Sequence, residues 1–282
     1  MTAPDWERRH AEAACAVWLN GPSWEQTPTA TIGRFSCTTA DAGAALLAEV
    51  IEDLRRQGRA AVLGPMDGDT WHSYRLVVDA GNRPPFFLEP HNPPHAVEAF
   101  LRAGFLPVAH YASAIAGATG LRSGLKGSAD IRLRPFDPGA AERDLGLIFR
   151  LSSQGFRANA FATPIDESDF LALYQPILPH VVPDLVLLAE DAGGQPLGFV
   201  FGLPDFAEGA TPRTVIFKTY AALRPGVGTI LADAFHKAAR RLGFEQVIHA
   251  LMHADNLSLR YSALTGATIF RRYELFGRRL TP

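Results

Sequence analysis

Apolar residues recur every three or four positions between residues 40 and 59, where Leu47, Val50, Ile51 and Leu54 share one face. This spacing predicts an amphipathic helix that stops at Gly58. Shorter apolar runs bounded by Gly, Pro and Asp predict strands. In chain order, the predicted elements are helix 5–19, strand 31–38, helix 40–59, strands 60–63, 71–79 and 85–89, helix 94–103, strands 106–115 and 131–136, helices 140–154 and 168–177, strands 184–191, 196–203 and 214–223, helix 228–242, strand 245–253, helix 256–264 and strand 269–278. Their alternation predicts a mixed sheet with helices on both faces.

Residues 117–130 interrupt this pattern, because they contain four glycines and few apolar side chains. Such a composition is typical of a flexible linker between two domains, which would cover residues 1–116 and 131–282. Residues 55–66 resemble residues 240–252, since each stretch passes from Arg-Arg through a glycine into an apolar strand. This weak internal repeat predicts that the two halves are related α/β units.

Composition narrows the classes of function. The 282 residues carry a net charge of −2, so no basic surface for nucleic acid or an acidic membrane is expected. No apolar run reaches the roughly 18 residues of a membrane span, and the N-terminal residues do not resemble a signal peptide. Cys15 and Cys37 are too few for a disulfide framework, and no cysteines or histidines have the spacing of a metal site. We therefore expect a cytoplasmic protein without a bound metal.

The segment 214–230, TVIFKTYAALRPGVGTI, is the clearest candidate for chemistry. It predicts a strand that passes through a Pro-Gly-x-Gly turn directly into a helix. The N–H groups of Val227, Gly228 and Thr229 would then be unpaired at a helix N-terminus, where the helix dipole also attracts phosphate. Gly226 and Gly228 have no side chain to keep a diphosphate away from the backbone. The segment predicts an anion-binding turn, although it satisfies neither the Rossmann fingerprint nor the Walker A pattern.

The order of elements around this turn resembles the GNAT superfamily of acyl-CoA N-acyltransferases. The matching pieces are strand 215–223, loop 224–229, strand 247–253 and a helix opened by Asn256. The resemblance covers residues 131–280 as a full domain, and residues 31–115 resemble the later part of a degenerate copy. It implies an α/β fold of two GNAT-like domains in tandem, each a mixed, mostly antiparallel sheet flanked by helices.

The same resemblance implies acetyl-CoA as acyl donor and a primary amine of a small molecule or peptide as acceptor. The residues implied to hold the donor are Tyr220, Ala221, Ala222, Leu223, Arg224, Gly226, Val227, Gly228, Thr229, Asn256 and Ser258. Two positions depart from the family pattern. Leu223 stands where the family usually has Arg or Gln, and Ala263 stands where the family often has a tyrosine, two residues after Tyr261.

Acyl transfer to an amine requires a neutral amine, a donor to the carbonyl oxygen and a proton for the departing thiolate. We expect a backbone N–H near Tyr220 to Ala222 to serve the oxygen and Tyr261 to serve as the acid. Glu190 is the candidate base, and His253 is a further catalytic candidate that can reach the cleft. Lys218, in an apolar strand, is expected to be paired or snorkelling, although it could line a pocket.

Two other functions remain open from the sequence. One is a non-catalytic tandem module that binds acyl-CoA, or nothing, and acts as a sensor or scaffold; the atypical loop and the displaced tyrosine favour it. The other is a transferase that uses a different activated donor, such as aminoacyl-tRNA, which the acidic composition disfavours. The final strand, 269–278, could also pair across a homodimer.

Overall fold

The computed structural model of the protein describes residues 3–119 and 130–280. Their strands form one twelve-stranded sheet, and six α-helices pack against it. In chain order the elements are β1 Trp6–Arg9, β2 Ala13–Trp18, β3 Ala30–Cys37, α1 Ala40–Arg56, β4 Ala61–Gly64, β5 Leu76–Asp79, α2 Ala96–Arg102, β6 Leu106–Gly117, β7 Ile131–Pro135, α3 Ala141–Gly155, α4 Glu167–Tyr174, β8 Val186–Asp191, β9 Pro196–Pro204, β10 Thr214–Ala222, α5 Val227–Arg241, β11 Gln246–His253, α6 Leu257–Leu264 and β12 Thr268–Arg279.

The sheet runs without interruption through both halves of the chain. Its order is β1-β2-β3-β4-β12-β6-β11-β10-β9-β8-β7, and β5 also pairs with β12. Only β3/β4 and β10/β11 are parallel among the described pairs. The predicted fold class, a mixed and mostly antiparallel sheet flanked by helices, is confirmed. The domain boundaries at 116 and 131 stay a prediction, and residues 120–129 of the predicted linker lie outside the described residues.

The two parallel pairs occupy equivalent places in the two halves. Each belongs to a β–α–β unit, β3–α1–β4 in the first half and β10–α5–β11 in the second. In each half a shorter helix then follows an Asn, α2 after Asn92 and α6 after Asn256, and leads into a long strand, β6 or β12. This order matches the internal repeat that the sequence predicts.

The halves are joined by an exchange of long strands at the centre of the sheet. β12, the last strand of the chain, pairs with β4 and β5 along one edge and with β6 along the other. β6 belongs to the first half but also pairs with β11 of the second. Both edges of β12 are therefore occupied over most of its length, which disfavours the pairing of strand 269–278 across a homodimer; a homodimer itself stays a prediction.

Alternating side chains of the strands build a core on each face of the second half. On β9, Val200 packs with Leu231 and Phe235 of α5, whereas Phe199 packs on the opposite face with Ile148 of α3. All five side chains are fully buried. This two-sided packing holds α5, which begins immediately after β10, in a fixed position against the sheet.

The predicted helix over residues 5–19 is wrong. The segment forms β1 and β2, an antiparallel pair in which Trp6 lies opposite Val17. Five of the six residues of β2 are buried, because β3 covers its other edge and α1 packs against it. The run Ala13–Trp18 has high helix propensity, but it has no polar face. Burial between two strands therefore outweighs the small intrinsic preference of alanine for a helix.

Two predicted strands in the first half are also wrong or too long. Strand 71–79 is reduced to β5, because residues 67–73 form a loop with bends and turns between Met66 and Tyr74. Residues 85–89 form no strand, since Pro84 and Pro85 have no backbone N–H to donate and the Phe86 N–H donates to the Glu89 side chain instead. Both segments are loops that reach the cavity described below.

No helix in the described ranges is both long enough and apolar enough to pass through a membrane.

Candidate active site

The parallel strands β10 and β11 separate halfway along their length. They are paired from Thr214 opposite Gln246 to Phe217 opposite His249, and neither strand ends there. β10 has a register shift against β9 next to Phe217, and β11 has one against β6 directly after His249. Bulges bend strands, so the two irregularities at one level open a wedge between β10 and β11. Backbone groups that face this wedge are no longer paired across it.

A cavity of about 1100 Å³ lies along the wedge. The second half contributes β10, β11, the N-terminal ends of α5 and α6, and the segment between α3 and α4. The first half contributes the loop around residues 67–75, the segment 88–90 and Tyr111 of β6. A volume of this size accommodates a ligand larger than a typical metabolite, and its walls come from both halves because their strands are interleaved.

The N-terminus of α5 lies at the second-half side of this cavity. Gly226 adopts a φ of +86° at the N-cap, a conformation that disfavours other residues, and it supplies no capping side chain. Ile230 N–H makes the first bond to Gly226 O, at 3.2 Å. The N–H groups of Gly228 and Thr229 have no hydrogen-bond partner in the described part of the chain. A Cβ on Gly228 would lie 3.2 Å from the Tyr220 ring, closer than ordinary van der Waals contact, so a larger residue here would require that ring to shift.

The N-terminus of α1, the corresponding helix of the first half, is built differently. The Thr39 hydroxyl accepts the Ala42 N–H at 3.1 Å, and Asp41 supplies a negative charge in the first turn of α1. α5 has no acidic residue in its first turn. The helix dipole is therefore offset by the protein itself at α1 but is left for an external anion at α5.

Seven of the predicted site residues line the cavity, and seven do not. Those on its wall are Tyr220, Gly228, Thr229, His253, Asn256, Ser258 and Tyr261. Those away from the wall are Glu190, Ala221, Ala222, Leu223, Arg224, Gly226 and Val227. Val227 is buried in the core under α5, and the Arg224 guanidinium forms an ion pair with Asp130 at 2.9 Å. Arg224 therefore already has an acidic partner within the chain.

Glu190, the predicted base, lies on β8 and points to a different cluster. Its carboxylate accepts from Arg134 Nε at 2.7 Å, and Arg134 also pairs with Asp144. The Asp144 side chain is fully buried, and these ion pairs connect β7, β8 and α3. Its position gives Glu190 no access to the wedge and no support as a base.

Tyr261 lies on α6 at the cavity wall, whereas Ala263 is exposed. The tyrosine of the sequence thus faces the cavity although it stands two positions before the usual family position. Its neighbour across the cavity is Tyr220, whose pKa is raised to about 12 by burial and, to a lesser extent, by Tyr261. Tyr261 is partly accessible, which a residue that exchanges a proton with a ligand requires.

His253 lies at the end of β11 and is a donor to the cavity rather than an acceptor. Its Nδ1 accepts the Asp255 N–H at 3.2 Å, so the neutral ring carries its hydrogen on Nε2. The ring stacks edge-on against Tyr111. Burial lowers the pKa of His253, an effect that the charge of Asp255 opposes. The neutral, Nε2-protonated form is thus favoured, and it offers no free lone pair to a substrate proton.

Lys218 occupies the bulge of β10, between the last residue paired with β11 and the diverging part of the strand. Its Nζ donates to Leu88 O at 3.1 Å, and its side chain lines the cavity. Burial lowers the pKa of Lys218 to about 8, with a further contribution from the positive charge of Arg75. Lys218 is therefore paired, and its partner is a backbone carbonyl. Its lowered pKa shows that the surroundings disfavour positive charge in this part of the cavity.

The first half supplies a wall of the cavity that no motif in the sequence predicts. This wall includes Asp67, Trp71, His72, Tyr74, Arg75 and Tyr111. Glu89 also lines it, and the unusual polar run Glu89-Pro90-His91-Asn92 is a sequence signal from which part of this wall could have been predicted. The Glu89 carboxylate is held by Arg271 at 2.8 Å and by the Tyr273 hydroxyl, with both charged side chains almost fully buried. The other wall residues are unremarkable in sequence, because only strand exchange brings them to the wedge.

No protein-family model and no curated protein sequence matches this chain. Similarity to solved structures is extensive. A GCN5-related N-acetyltransferase from Sphaerobacter thermophilus is 16% identical, with a TM-score of 0.58 over 96% of this chain and 78% of that chain. A tandem GNAT protein from the clavulanic acid biosynthesis pathway, described without AcCoA, is 13% identical, with a TM-score of 0.57 over 99% of this chain and 85% of that chain.

A GCN5-related N-acetyltransferase from Anabaena variabilis gives a further match, 12% identical with a TM-score of 0.54 over 95% of this chain and 60% of that chain. At these identities the likeness establishes the fold. It extends over both halves, including the strands that surround the wedge. The chain therefore has the fold of the GNAT N-acetyltransferase superfamily along almost its whole described length.

Proposed function

We propose that this protein is an acyl-CoA-dependent N-acyltransferase that transfers acetyl from acetyl-CoA to the primary amine of a small molecule or peptide. The observation that carries the proposal is the wedge between β10 and β11, with the uncapped N-terminus of α5 beside it. A thioester arm fits between diverging strands, and a diphosphate fits a helix N-terminus. Both features lie on the wall of one cavity.

The residues at α5 fit a diphosphate. Gly228 and Thr229 present N–H groups without partners, and no acidic side chain stands in the first turn. A side chain at 228 would press against the Tyr220 ring, so glycine leaves that space at the cavity wall free for a ligand. Arg224 is engaged by Asp130, so we assign most of the anion binding to the backbone and the helix dipole.

The reacting end of the donor is proposed to lie in the wedge beside Lys218 and Tyr261. When bound, acetyl-CoA supplies an acyl group already activated as a thioester. The unpaired backbone of β10 beyond Phe217 offers N–H donors to a carbonyl oxygen. Tyr261, partly accessible on the cavity wall, is the proposed proton donor to the thiolate.

The acceptor amine need not lose its proton to a carboxylate. Lys218 is an amine held in this cavity, and its pKa is lowered to about 8 by burial and by Arg75. An acceptor amine buried in the same surroundings experiences the same desolvation, the larger of the two effects, which favours its neutral form. His253 donates through Nε2, so we assign it to ligand positioning. Glu190 is paired with Arg134 away from the cavity, so we do not propose it as the base.

Release of free thiol from acetyl-CoA in the presence of a panel of primary amines tests the transfer. We expect at least one amine to accelerate thiol release. We also expect Tyr261→Phe to lower kcat by about 100-fold with little change in the KM for acetyl-CoA. Tyr174→Phe is the matched control, because Tyr174 lines the same cavity from α4. Binding of acetyl-CoA without turnover for any amine would support the non-catalytic module instead.

A further inference from the structure

A buried arginine faces the cavity from the first half. Arg75 is 7% exposed and lines the cavity next to the β11 bulge. Its guanidinium lies between two aromatic rings, 3.8 Å from the centroid of Tyr74 and 4.1 Å from that of Tyr111. The two rings hold the planar group in one orientation, so its remaining N–H donors are fixed in direction.

This guanidinium has no acidic partner in the described part of the chain. Its one hydrogen bond runs from Nη1 to Leu251 O at 3.2 Å, and no carboxylate oxygen lies within 4 Å. Its Nε is buried without a partner. By contrast, the similarly buried Arg271 pairs with Glu89 and also donates to backbone carbonyls. A buried charge without a counter-ion is costly, so the free protein carries a charge that a ligand can compensate.

The acidic groups nearby are committed elsewhere. The Glu89 carboxylate is held by Arg271 and Tyr273, and the Asp67 carboxylate accepts the Arg34 N–H at 2.8 Å. Lys218, whose pKa the charge of Arg75 lowers, is a second cation on the wall of this cavity. The chain therefore supplies no anion for Arg75 from the walls described here.

The backbone is strained at both residues of the hydrogen bond between Arg75 and Leu251. Arg75 has a φ of +73°, and Leu251, whose carbonyl accepts from it, has a φ of +58°. Neither residue is a glycine, and such conformations persist where the surrounding structure enforces them. Leu251 belongs to the bulge that opens the wedge. The same distortion therefore opens the donor site and fixes the buried guanidinium beside it.

We propose that Arg75 binds a carboxylate carried by the acceptor, so that the acceptor is an amino acid or a compound with an amine close to a carboxylate. A guanidinium fork matches a carboxylate in geometry and in charge. Because Arg75 contacts the wedge at Leu251, a compact acceptor held there places its amine at the wedge. The identity of this ligand as the acceptor rests on the proposed function; the carboxylate site itself does not.

Calorimetric titration with product-like pairs tests the site without requiring turnover. The probes are the N-acetyl derivatives of glycine, leucine and phenylalanine, each compared with its C-terminal amide, which lacks the carboxylate. For the best side chain we expect the acid to bind about 10- to 100-fold more tightly than the amide. Arg75→Gln should abolish this ratio, and Arg75→Lys, which keeps the charge but not the fork, should leave a reduced one.

Arg157→Gln is the matched control, because Arg157 lines the same cavity but is exposed. It removes the same charge, and we expect the acid-to-amide ratio to persist. Equal affinity for acid and amide with all three side chains, or an equal loss in Arg157→Gln, overturns the inference. If Arg75→Gln does not fold, Arg75→Lys decides the matter by the same ratio. Carboxylate binding through Arg75 with no acetylation of the matching free amino acid would support the site and count against the proposed transfer.

Discussion

We expect a buried pair of histidines to make the stability of this protein sensitive to mild acid. His236 on α5 and His249 on β11 face each other with their Nε2 atoms 2.9 Å apart, and His249 Nδ1 is 2.6 Å from Ser262 Oγ. Both histidines are buried, at 1% and 6% exposure. Two Nε2 atoms can share a hydrogen bond only if one of them is unprotonated, so the pair cannot carry two charges without losing that bond.

The direction of the effect follows from the pKa values. Burial lowers the pKa of His236 to about 4, and burial with the charge of His236 lowers the pKa of His249 to about 3. Both histidines titrate near 6.5 in the unfolded chain. Below pH 6.5 the unfolded state therefore binds protons that the folded state does not, and stability falls as the pH falls towards 4.

The magnitude is large on the scale of protein stability. From pH 7 to pH 5 each histidine lowers the free energy of unfolding by about 2 kcal/mol, or about 4 kcal/mol for both. A typical domain has a total of about 5–15 kcal/mol. Urea unfolding at pH 7, 6 and 5, followed by tryptophan fluorescence, measures this loss directly.

Comparing the pH dependence of unfolding between variants separates the effect of the histidine pair from differences in overall stability. Raised pKa values of Asp67, Glu89 and Asp205, caused by burial, act in the opposite direction at the acidic end. We therefore compare slopes between variants. His249→Gln should remove at least half of the loss between pH 7 and 5, whereas His91→Gln, at an exposed position, should leave it unchanged. Equal losses in the wild type and in His249→Gln would refute the reasoning.

Two further predictions concern the packing that holds the site. Phe235→Ala should destabilise the protein by about 3–5 kcal/mol in urea unfolding, because this fully buried ring holds α5 against the sheet. The control is Leu242→Ala, at an exposed position near the end of the same helix, which should change stability by less than about 1 kcal/mol. Glu89→Gln should cost about 3 kcal/mol by leaving Arg271 buried without its counter-ion, and Glu89→Gln combined with Arg271→Met should recover part of that loss. A double variant less stable than the single variant would contradict the second prediction.

The elements that the sequence predicts well are those whose signals are local. The period of apolar positions marks α1, and the sequence also predicts α5 and, from the Pro-Gly-x-Gly turn, its uncapped start. β2 fails because its alanines favour a helix locally, whereas burial between two strands decides its conformation. The order of elements was enough to predict the fold class and the family resemblance, both of which the solved structures support at the level of the fold.

The residues of the candidate site fall into two similar groups, those that a local motif predicts and those that only the fold brings to the cavity. Gly228, Thr229 and Tyr261 follow from a local motif and lie on the cavity wall. Arg75 and Trp71 do not follow from any motif, because they reach the cavity only through the insertion of β12 between β4 and β6. The place of Glu190 on a strand predicts a base, but Arg134, the partner that fixes its carboxylate, lies on a neighbouring strand whose pairing no sequence signal specifies.

Calorimetric titration of acetyl-CoA tests the central claim most directly, with S-acetylpantetheine, which lacks both the diphosphate and the adenosine nucleotide, as the comparison. The critical variant is Thr229→Glu, which adds a negative charge to the first turn of α5. Such a charge favours the helix but repels a diphosphate, and Thr229→Gln is its neutral match. We predict micromolar binding of acetyl-CoA by the wild type and by Thr229→Gln, at least tenfold weaker binding by Thr229→Glu, and weak binding of S-acetylpantetheine by all three. Equal affinity of the wild type for both compounds, or no loss in Thr229→Glu, would contradict the assignment of the donor to this helix.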